Sequence, residues 1–417
     1  MQIDKENVII MNKSNIKKIY WIFILAILFC VFLFFYLNEA FIFNSDIDDH
    51  FGFALDLHFL PEMGVEQFSQ KISNAHILSY PGWHLLFLAL YTLIEKLSIV
   101  FGYGLDIQTT ALWAQAIENA ILLLITFIVI VNCFYKYYGL AEKSVLILGI
   151  VNMVIGPLYI PGVSEKYYLG QFTANPWHNP TTLIIKPMAI ICFYLFCHLY
   201  NCRDYISEKD QNKSCVLLAV SLLLSAWLKP SFYQAFVPAL FIFCVIDVLR
   251  TKFSSFKFCV KIGFAVLPVC MLALLQYTTS FGETGNGIIW SPWTVWNIFS
   301  NNKGISLLVS LAFPLVVMAL NGSKVLKNSD TLLSLCFFAS SVLQFICFSL
   351  ANNAKTGDFL WAVYLSVLML FMSGENLMLQ MKLSKAKYLF CSVLLIMHFV
   401  CGLGYFIGIY VGGKFDI

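Results

Sequence analysis

The sequence predicts an all-α, polytopic integral membrane protein: a bundle of about eleven transmembrane helices with one further helix on the external membrane surface. Of its 417 residues, 60% are hydrophobic and only 12% are charged, and the mean hydropathy is +0.79. Soluble globular domains carry about 25% charged residues. Apolar runs of roughly 17–24 residues, the length a helix needs to cross a bilayer, recur from end to end. These runs are continuous rather than alternating, which favours helices over a barrel.

The chain is predicted to be a single domain over residues 1–417, because no polar stretch is long enough for a soluble domain and no internal repeat is present. A net charge of +3 gives no reason to expect nucleic acid as a partner. The thirteen cysteines lie mostly inside apolar runs, and no CxxC occurs. They are predicted to be small buried hydrophobic residues rather than disulfides or metal ligands.

The N-terminal part is predicted to be an uncleaved signal anchor with residues 1–18 in the cytoplasm. Four lysines precede the first apolar run, residues 20–37, and no small-residue cleavage site follows that run. Residues 38–109 are then external and form an acidic loop with surface helices.

One apolar run, residues 83–100, has an ambiguous placement because Glu95 and Lys96 interrupt it. If this run lies on the outer surface, 18 of the 26 basic residues fall on the cytoplasmic side. If it crosses, every later loop changes sides and the bias reverses. The positive-inside rule therefore predicts that it does not cross. The predicted spans are then 20–37, 110–133, 144–160, 181–201, 214–228, 231–249, 262–279, 304–320, 331–350, 359–378 and 388–411.

An acidic cluster follows the first span directly and consists of Asp46, Asp48, Asp49 and His50. Carboxylates at this spacing can act as a general base or hold a divalent cation such as Mg²⁺ or Mn²⁺. A helix that begins near Ser45 would place Asp46 and His50 one turn apart on one face. The same pattern also fits a solvated helix that is capped by Ser45 and has acids in its first turn.

Two further groups of polar residues are expected on the external side. Tyr80 and His84 belong to the Tyr-Pro-Gly-Trp-His sequence that opens the surface helix, a composition typical of a bend at the membrane interface. Glu118 shares one helix face with Gln115 and Asn119 in the outer half of the next span. An ionisable residue at this depth is a candidate functional residue. Hydrogen bonding between helices is the structural alternative.

The most unusual stretch, residues 167–182, combines two prolines with many polar and aromatic side chains. The prolines predict a fixed, non-helical loop. Tryptophan offers a stacking face for a sugar, and the amide and imidazole groups can hydrogen-bond sugar hydroxyls. A rigid connector is the alternative. The predicted substrate-binding residues of this stretch are Gln171, Asn175, Trp177, His178 and Asn179.

Two lysines are predicted at headgroup depth on the external side. Lys186 lies one turn inside the helix that follows the polar loop, and Lys229 lies in a short turn before Pro230. Together they could neutralise a phosphate. Snorkelling of their side chains to the membrane interface is the alternative.

The arrangement of these features resembles the GT-C superfamily of polytopic glycosyltransferases. The similar features are Asp46–His50 directly after the first span, Tyr80–His84 at the start of a surface helix, and the polar Glu118 in the next span. Asn175–Thr181 is similar to a stretch of uncharacterised bacterial membrane proteins found with surface-polysaccharide genes. The resemblance extends over nearly the whole chain in layout, through short motifs.

The resemblance implies transfer of a sugar from a polyprenyl-phosphate or polyprenyl-diphosphate donor to a glycan or lipid-linked acceptor. The reaction would take place on the external face of the bacterial plasma (inner) membrane. Asp46 or Asp49 would act as general base, His50 would orient it or bind a metal, and a basic group would stabilise the departing phosphate. Many members of the superfamily have an arginine where this chain has Glu118, so Lys186 or Lys229 would have to replace it.

Two other classes of protein share parts of this pattern. An O-antigen- or capsule-type polysaccharide polymerase usually carries arginines in its later external loops, which have none here. A flippase or transporter for lipid-linked oligosaccharides should have charges along several spans. This chain is predicted to concentrate them at one face.

Overall fold

The architecture is described by a computed structural model, which covers residues 5–42, 46–59, 80–161, 170–281, 287–351, 357–380 and 383–411. Two short antiparallel strands, β1 (Ile288–Trp290) and β2 (Phe348–Leu350), accompany a bundle of helices. The helices are α1 (Lys5–Ile42), α2 (Asp46–His58), α3 (Gly82–Val100), α4 (Ile107–Asn132, extended by a π-helical turn, Cys133–Tyr137), α5 (Glu142–Val154), α6 (Pro180–Cys202), α7 (Glu208–Leu228), α8 (Pro230–Arg250), α9 (Phe256–Phe281), α10 (Thr294–Phe299), α11 (Lys303–Asn321, followed by a 3₁₀ turn, Gly322–Lys327), α12 (Ser329–Cys347), α13 (Leu360–Gln380) and α14 (Lys385–Tyr410).

The predicted all-α, polytopic fold class is confirmed. Within the described residues, eleven helices are long and apolar enough to cross a membrane. Ten of them correspond to predicted spans, and the eleventh is α3. The chain is therefore a multi-pass membrane protein whose helices require a lipid bilayer around them.

The predicted continuous helical span over residues 144–160 is wrong. Helix α5 ends at Val154, and residues 155–160 form no regular secondary structure. Pro157 has no backbone N–H and disfavours helical geometry at the residue before it, Gly156. Hydropathy alone did not reveal this break, because the residues on both sides of it are equally apolar.

This non-helical segment is stabilised by hydrogen bonds to neighbouring helices. The backbone N–H of Gly156 donates to the His398 carbonyl (3.2 Å), and that of Leu158 donates to the Val309 carbonyl (2.9 Å). The His398 ring nitrogen Nδ1 lies 2.7 Å from the Gly156 carbonyl oxygen. Gly402 permits this approach, because a Cβ there would collide with the α5 backbone. Non-helical backbone at membrane depth is tolerated where protein surrounds it in this way.

Helix α3 lies antiparallel to the first half of α4. The Trp83 indole N–H donates to Asn119 Oδ1 (3.2 Å), which places the start of α3 beside the middle of α4. The helix from Trp83 to Val100 is about 25 Å long, and that from Ile107 to Asn119 is about 18 Å long. Helix α3 therefore lies beside the N-terminal half of α4 and not beside the half that reaches the opposite end of the bundle. Because α3 is also long and apolar enough to cross a membrane, the surface placement of residues 83–100 stays a prediction.

Cysteine labelling tests this topology. Lys96 on α3 and Lys143 at the start of α5 are both exposed. A membrane-impermeant maleimide added to intact cells should label Lys96→Cys above the background of the wild-type chain and should leave Lys143→Cys unlabelled until the membrane is permeabilised. Labelling of Lys143→Cys in intact cells, with Lys96→Cys unlabelled until the membrane is permeabilised, would show that α3 crosses the membrane.

The two most buried spans both begin at the same end of the bundle. The most hydrophobic windows of α13 and α6 are 94% and 78% buried, compared with 17–61% for the other spans. Asn179 caps α6, with its side chain accepting from the Thr182 N–H, and Pro180 occupies the first turn. Rigid, central helices thus hold the residues at this end of the bundle in place.

Candidate functional site

The site is organised around the side chain of Asn179. Its Oδ1 accepts hydrogen bonds from the Thr182 N–H (2.9 Å) and from Lys229 Nζ (2.7 Å). Its Nδ2 donates to Asp46 Oδ2 (2.7 Å). One amide therefore joins a carboxylate at the start of α2 to an ammonium in the turn between α7 and α8. The structure brings together Asp46, Asn179 and Lys229, which are far apart in sequence, at one end of the bundle.

Lys229 is a buried cation that hydrogen-bonds to neutral groups. Besides Asn179, its Nζ donates to Thr181 Oγ1 (2.7 Å) and Thr182 Oγ1 (2.9 Å). The ammonium also lies 4.5 Å from the centre of the Trp361 ring. Burial lowers the pKa of Lys229 to about 7, although the nearby carboxylates of Asp46 and Asp358 oppose this shift. Asp46 and Asp358 thus act on the ammonium electrostatically, while its hydrogen bonds go to neutral oxygen atoms.

The three aspartates of the acidic cluster differ in their surroundings. Helix α2 begins at Asp46, and the predicted cap, Ser45, lies outside the described residues. Asp46 is partly buried and accepts a hydrogen bond from Asn179, whereas Asp49 is exposed. Asp48 belongs to α2, but its side chain lies outside what is described. The described residues contain no group of three acidic, histidine or cysteine side chains that could hold a metal. A Mg²⁺ or Mn²⁺ site at the aspartates stays a prediction, and no chemical step below uses it.

His50 pairs with His84 rather than with an aspartate. His50 Nδ1 lies 3.0 Å from His84 Nε2, so one ring donates to the other. Burial lowers the pKa of His50 well below its usual value, and His84 and Lys229 lower it further. His50 is therefore neutral at physiological pH. The His50–His84 contact joins α2 to α3. Asp46 hydrogen-bonds to Asn179 instead of to His50.

Tyr80 and His178 lie within electrostatic reach of Asp46. Burial raises the pKa of Tyr80 to about 12, and the carboxylates of Asp358 and Asp46 add to this effect. The pKa of His178 is lowered by burial, while Asp46 raises it. The His178 ring lies 5.9 Å from that of Trp361. Tyr80, His178 and Trp361 thus lie around the Asp46 carboxylate and the Lys229 ammonium.

Sequence reasoning missed two residues of this site, Asp358 and Trp361. Both lie at the start of α13, and Asp358 is exposed. Their only sequence signal was an acid in an external turn followed by a tryptophan at the end of a span. Such a pair is also typical of an interfacial aromatic belt, so it carried no specific information.

Some side chains of the polar loop lie at the site, and others are packed in the protein core. His178 and Asn179 face the site. Trp177 is only 1% exposed, stacks on Tyr405 (5.3 Å between ring centres), and accepts a hydrogen bond from the Tyr36 hydroxyl at its carbonyl. Gln171 is also buried. The stacking face that Trp177 was predicted to offer a sugar is thus used within the protein.

Lys186 does not share the hydrogen-bond partners of Lys229. It is 1% exposed, and its ammonium donates to Asn175 Oδ1. Lys229 donates instead to Asn179. The two lysines predicted to share a phosphate therefore hydrogen-bond to different asparagines, and Lys229 is the one beside Asp46.

Glu118 is fully buried, and its two carboxylate oxygens have no hydrogen-bond partner among the described residues. Gln115 and Asn119, which were predicted to share its helix face, hydrogen-bond to other groups. Gln115 Nε2 donates to the Tyr36 carbonyl (3.1 Å), and Asn119 Nδ2 donates to Gln115 Oε1 (3.1 Å). Gln115 thus bonds to α1 and Asn119 accepts from Trp83 of α3, the hydrogen bonds between helices that were the structural alternative, and Glu118 takes no part in them.

Gly170 fixes the described start of the polar loop. Its φ is +88°, and a Cβ there would collide with the Phe299 carbonyl. The Trp296 indole N–H donates to its carbonyl (3.1 Å). We expect Gly170→Ala to lower the free energy of unfolding by roughly 1–3 kcal/mol from backbone strain alone, measured by denaturation in detergent. Gly263→Ala is the control, because a Cβ at this helical position meets nothing within 4 Å. It should be neutral or stabilising, and equal loss in both variants would contradict this explanation.

The fold and the site together define a polytopic α-helical membrane protein with a buried cation and a carboxylate at one end of its bundle. Comparison with known proteins adds no narrower class. No protein-family model matches the chain, and no curated protein is significantly similar to it.

Proposed function

We propose that the protein is a membrane glycosyltransferase of the GT-C type. It transfers a sugar from a polyprenyl-(di)phosphate donor to a glycan or lipid-linked acceptor at the external face of the bacterial inner membrane, with its N-terminus in the cytoplasm. The observation that carries the proposal is the attachment of Asp46 and Lys229 to the same amide, Asn179. A base and a cation are thereby held a few ångströms apart at a bundle end.

Lys229 stabilises the leaving group in this proposal. Breaking the bond between the sugar and the phosphate leaves negative charge on the lipid phosphate. A preorganised ammonium in a site with little water stabilises such charge more strongly than water does. Thr181 and Thr182 hold the ammonium in place, and the Trp361 ring covers one side of it.

Asp46 is the general base. It takes the proton from the acceptor hydroxyl, the acceptor oxygen forms a bond to the anomeric carbon, and the bond from that carbon to the phosphate oxygen breaks. A single displacement of this kind inverts the anomeric configuration. The Asn179 N–H holds one carboxylate oxygen. Tyr80, His178 and Trp361 supply a hydroxyl, an imidazole and an aromatic face to the sugar.

Reconstitution tests the proposal. Protein in nanodiscs is supplied with a polyprenyl-phosphate-linked radioactive sugar and an extract of envelope glycans. We expect release of free polyprenyl phosphate together with labelled glycan, and both should be lost in Asp46→Asn. A donor that remains intact with every polyprenyl-linked sugar tried would refute the proposal.

A flippase for lipid-linked oligosaccharides is the second candidate, because Glu118 and Glu375 place buried carboxylates within two spans. Movement of a fluorescent lipid-linked sugar across proteoliposomes, without cleavage of the donor, would favour it. A polysaccharide polymerase would use the same donor chemistry and differs only in the acceptor, which product analysis would identify.

The pKa of Lys229 predicts the pH dependence of transfer. Because this pKa is lowered to about 7, the free protein loses the cation as the pH rises through neutrality. We therefore expect kcat/KM to fall above about pH 7, whereas His50, neutral throughout, does not contribute. Lys229→Arg keeps its charge, so any activity of this variant should persist to higher pH. A wild-type profile that stays flat from pH 6 to 9, or a Lys229→Arg profile with the wild-type alkaline limb, would contradict the assignment.

A further inference from the structure

A pair of buried polar side chains lies where α5 ends and the non-helical segment begins. Asn152, in the last turn of α5, and Glu375, in α13, are both fully buried. Asn152 Nδ2 donates to Glu375 Oε2 (2.6 Å) and to the Leu148 carbonyl (2.9 Å). The mechanism described above does not use either side chain.

Each side chain of this pair has one oxygen left over. Asn152 Oδ1 and Glu375 Oε1 are buried and have no hydrogen-bond partner among the residues that the structure describes. Both oxygens are acceptors if Glu375 is charged, so neither can satisfy the other. An ionised carboxylate in a bundle interior without a paired cation is costly. No salt bridge to Glu375 occurs within the described part of the chain.

We propose that Glu375 holds a proton on Oε1 and shares it with Asn152 Oδ1, so that the two side chains form a neutral acid–amide pair. One proton provides the donor that both leftover oxygens need. Together with the existing hydrogen bond from Asn152 Nδ2 to Glu375 Oε2, this proton would join the two side chains in a cyclic pair of hydrogen bonds. No net charge then remains in the membrane interior.

The pair acts as a positioning element for the polar loop. The backbone carbonyl oxygens of Asn152 and Ile155 both accept from Asn175 Nδ2 (3.2 and 2.8 Å). Asn175 Oδ1 in turn accepts from Lys186. Asn175 lies in the same loop as Asn179, so the Asn152 side chain positions that loop indirectly, by anchoring the last turn of α5 whose backbone carbonyls hold Asn175. Glu375 is thus a positioning residue that acts through Asn152 and Asn175.

Infrared spectroscopy of the purified, detergent-solubilised protein tests the proton directly. A protonated carboxyl group absorbs apart from ionised carboxylates. We expect the wild-type spectrum minus that of Glu375→Gln to contain this carboxylic-acid band at neutral pH. Asp204→Asn is the matched control, because Asp204 is exposed, and its difference spectrum should show only the bands of an ionised carboxylate. A Glu375→Gln difference spectrum that shows an ionised carboxylate would overturn the proposal.

Thermal unfolding of the same variants tests the pairing, and it does not depend on sugar transfer. The Gln amide offers an N–H toward Asn152 Oδ1 and an oxygen that accepts from Asn152 Nδ2, as the protonated acid does, so Glu375→Gln should unfold near the wild-type temperature. Glu375→Ala should unfold several degrees lower, because it leaves Asn152 Oδ1 without a donor and Asn152 Nδ2 with only its bond to the Leu148 carbonyl. Equal losses in the Gln and Ala variants would contradict the proposal. So would an increase in the unfolding temperature with Na⁺, relative to choline, that Glu375→Gln abolishes, because it would show a metal cation in place of the proton.

Discussion

Sugar transfer should fall by about 10²–10³-fold when Lys229 is replaced by methionine, the loss typical of removing one preorganised group that stabilises transition-state charge. Methionine keeps the length and the apolar stem but removes the ammonium. Asn179 retains its hydrogen bond from the Thr182 N–H, so the helix cap is expected to persist. The measurement is the initial rate of donor consumption in nanodiscs, together with the unfolding temperature of each variant.

The matched control for this loss is Lys96→Met, which removes an exposed cation from α3. Its transfer rate should equal that of the wild type. If Lys229→Met were folded and as active as Lys96→Met, the phosphate of the donor would have to be bound elsewhere in the protein.

Asp46→Asn should lower transfer by roughly 10²–10⁴-fold, the range that general-base catalysis contributes. The substitution keeps an oxygen that can accept from Asn179 Nδ2, so the hydrogen bond to the loop is expected to remain while the basic group is lost. The rate is best measured with saturating donor and acceptor, because the change should appear in kcat.

Asp49→Asn is the control within the same helix. Asp49 is exposed and lies one turn beyond Asp46, so its neutralisation should change the rate little. A large loss in Asp49→Asn with an active Asp46→Asn would transfer the role of base to the other aspartate.

The membrane helices could be predicted because length and hydropathy determine them locally. The start of α2 at the acidic cluster and the start of α3 after Pro81 agree with other local signals, which were acids in a first helical turn and the Tyr-Pro-Gly-Trp-His sequence. The break after Val154 was missed, although Gly156 and Pro157 signal it, because an apolar run gives no indication that its backbone must find partners on other helices.

The partners within the site could not be predicted. Asn179 contacts residues 133 and 50 positions away, Asp46 and Lys229, and no local pattern encodes such distances. Lys186 and Lys229 looked equivalent in the sequence, since each is a lysine beside a proline at an external helix end. The structure separates them because Asn175 and Asn179, four residues apart in the loop, bond to different lysines.

The measurement that tests the central claim most directly compares binding of polyprenyl phosphate and uncharged polyprenol to the protein in nanodiscs. A hydrogen bond to a charged group is worth about 1.5–3 kcal/mol. The wild type should therefore bind the phosphate at least about tenfold more tightly, and Lys229→Met should bind the two lipids equally. Equal affinities in the wild type, or a preference for the phosphate that survives in Lys229→Met, would contradict a phosphate site at Lys229.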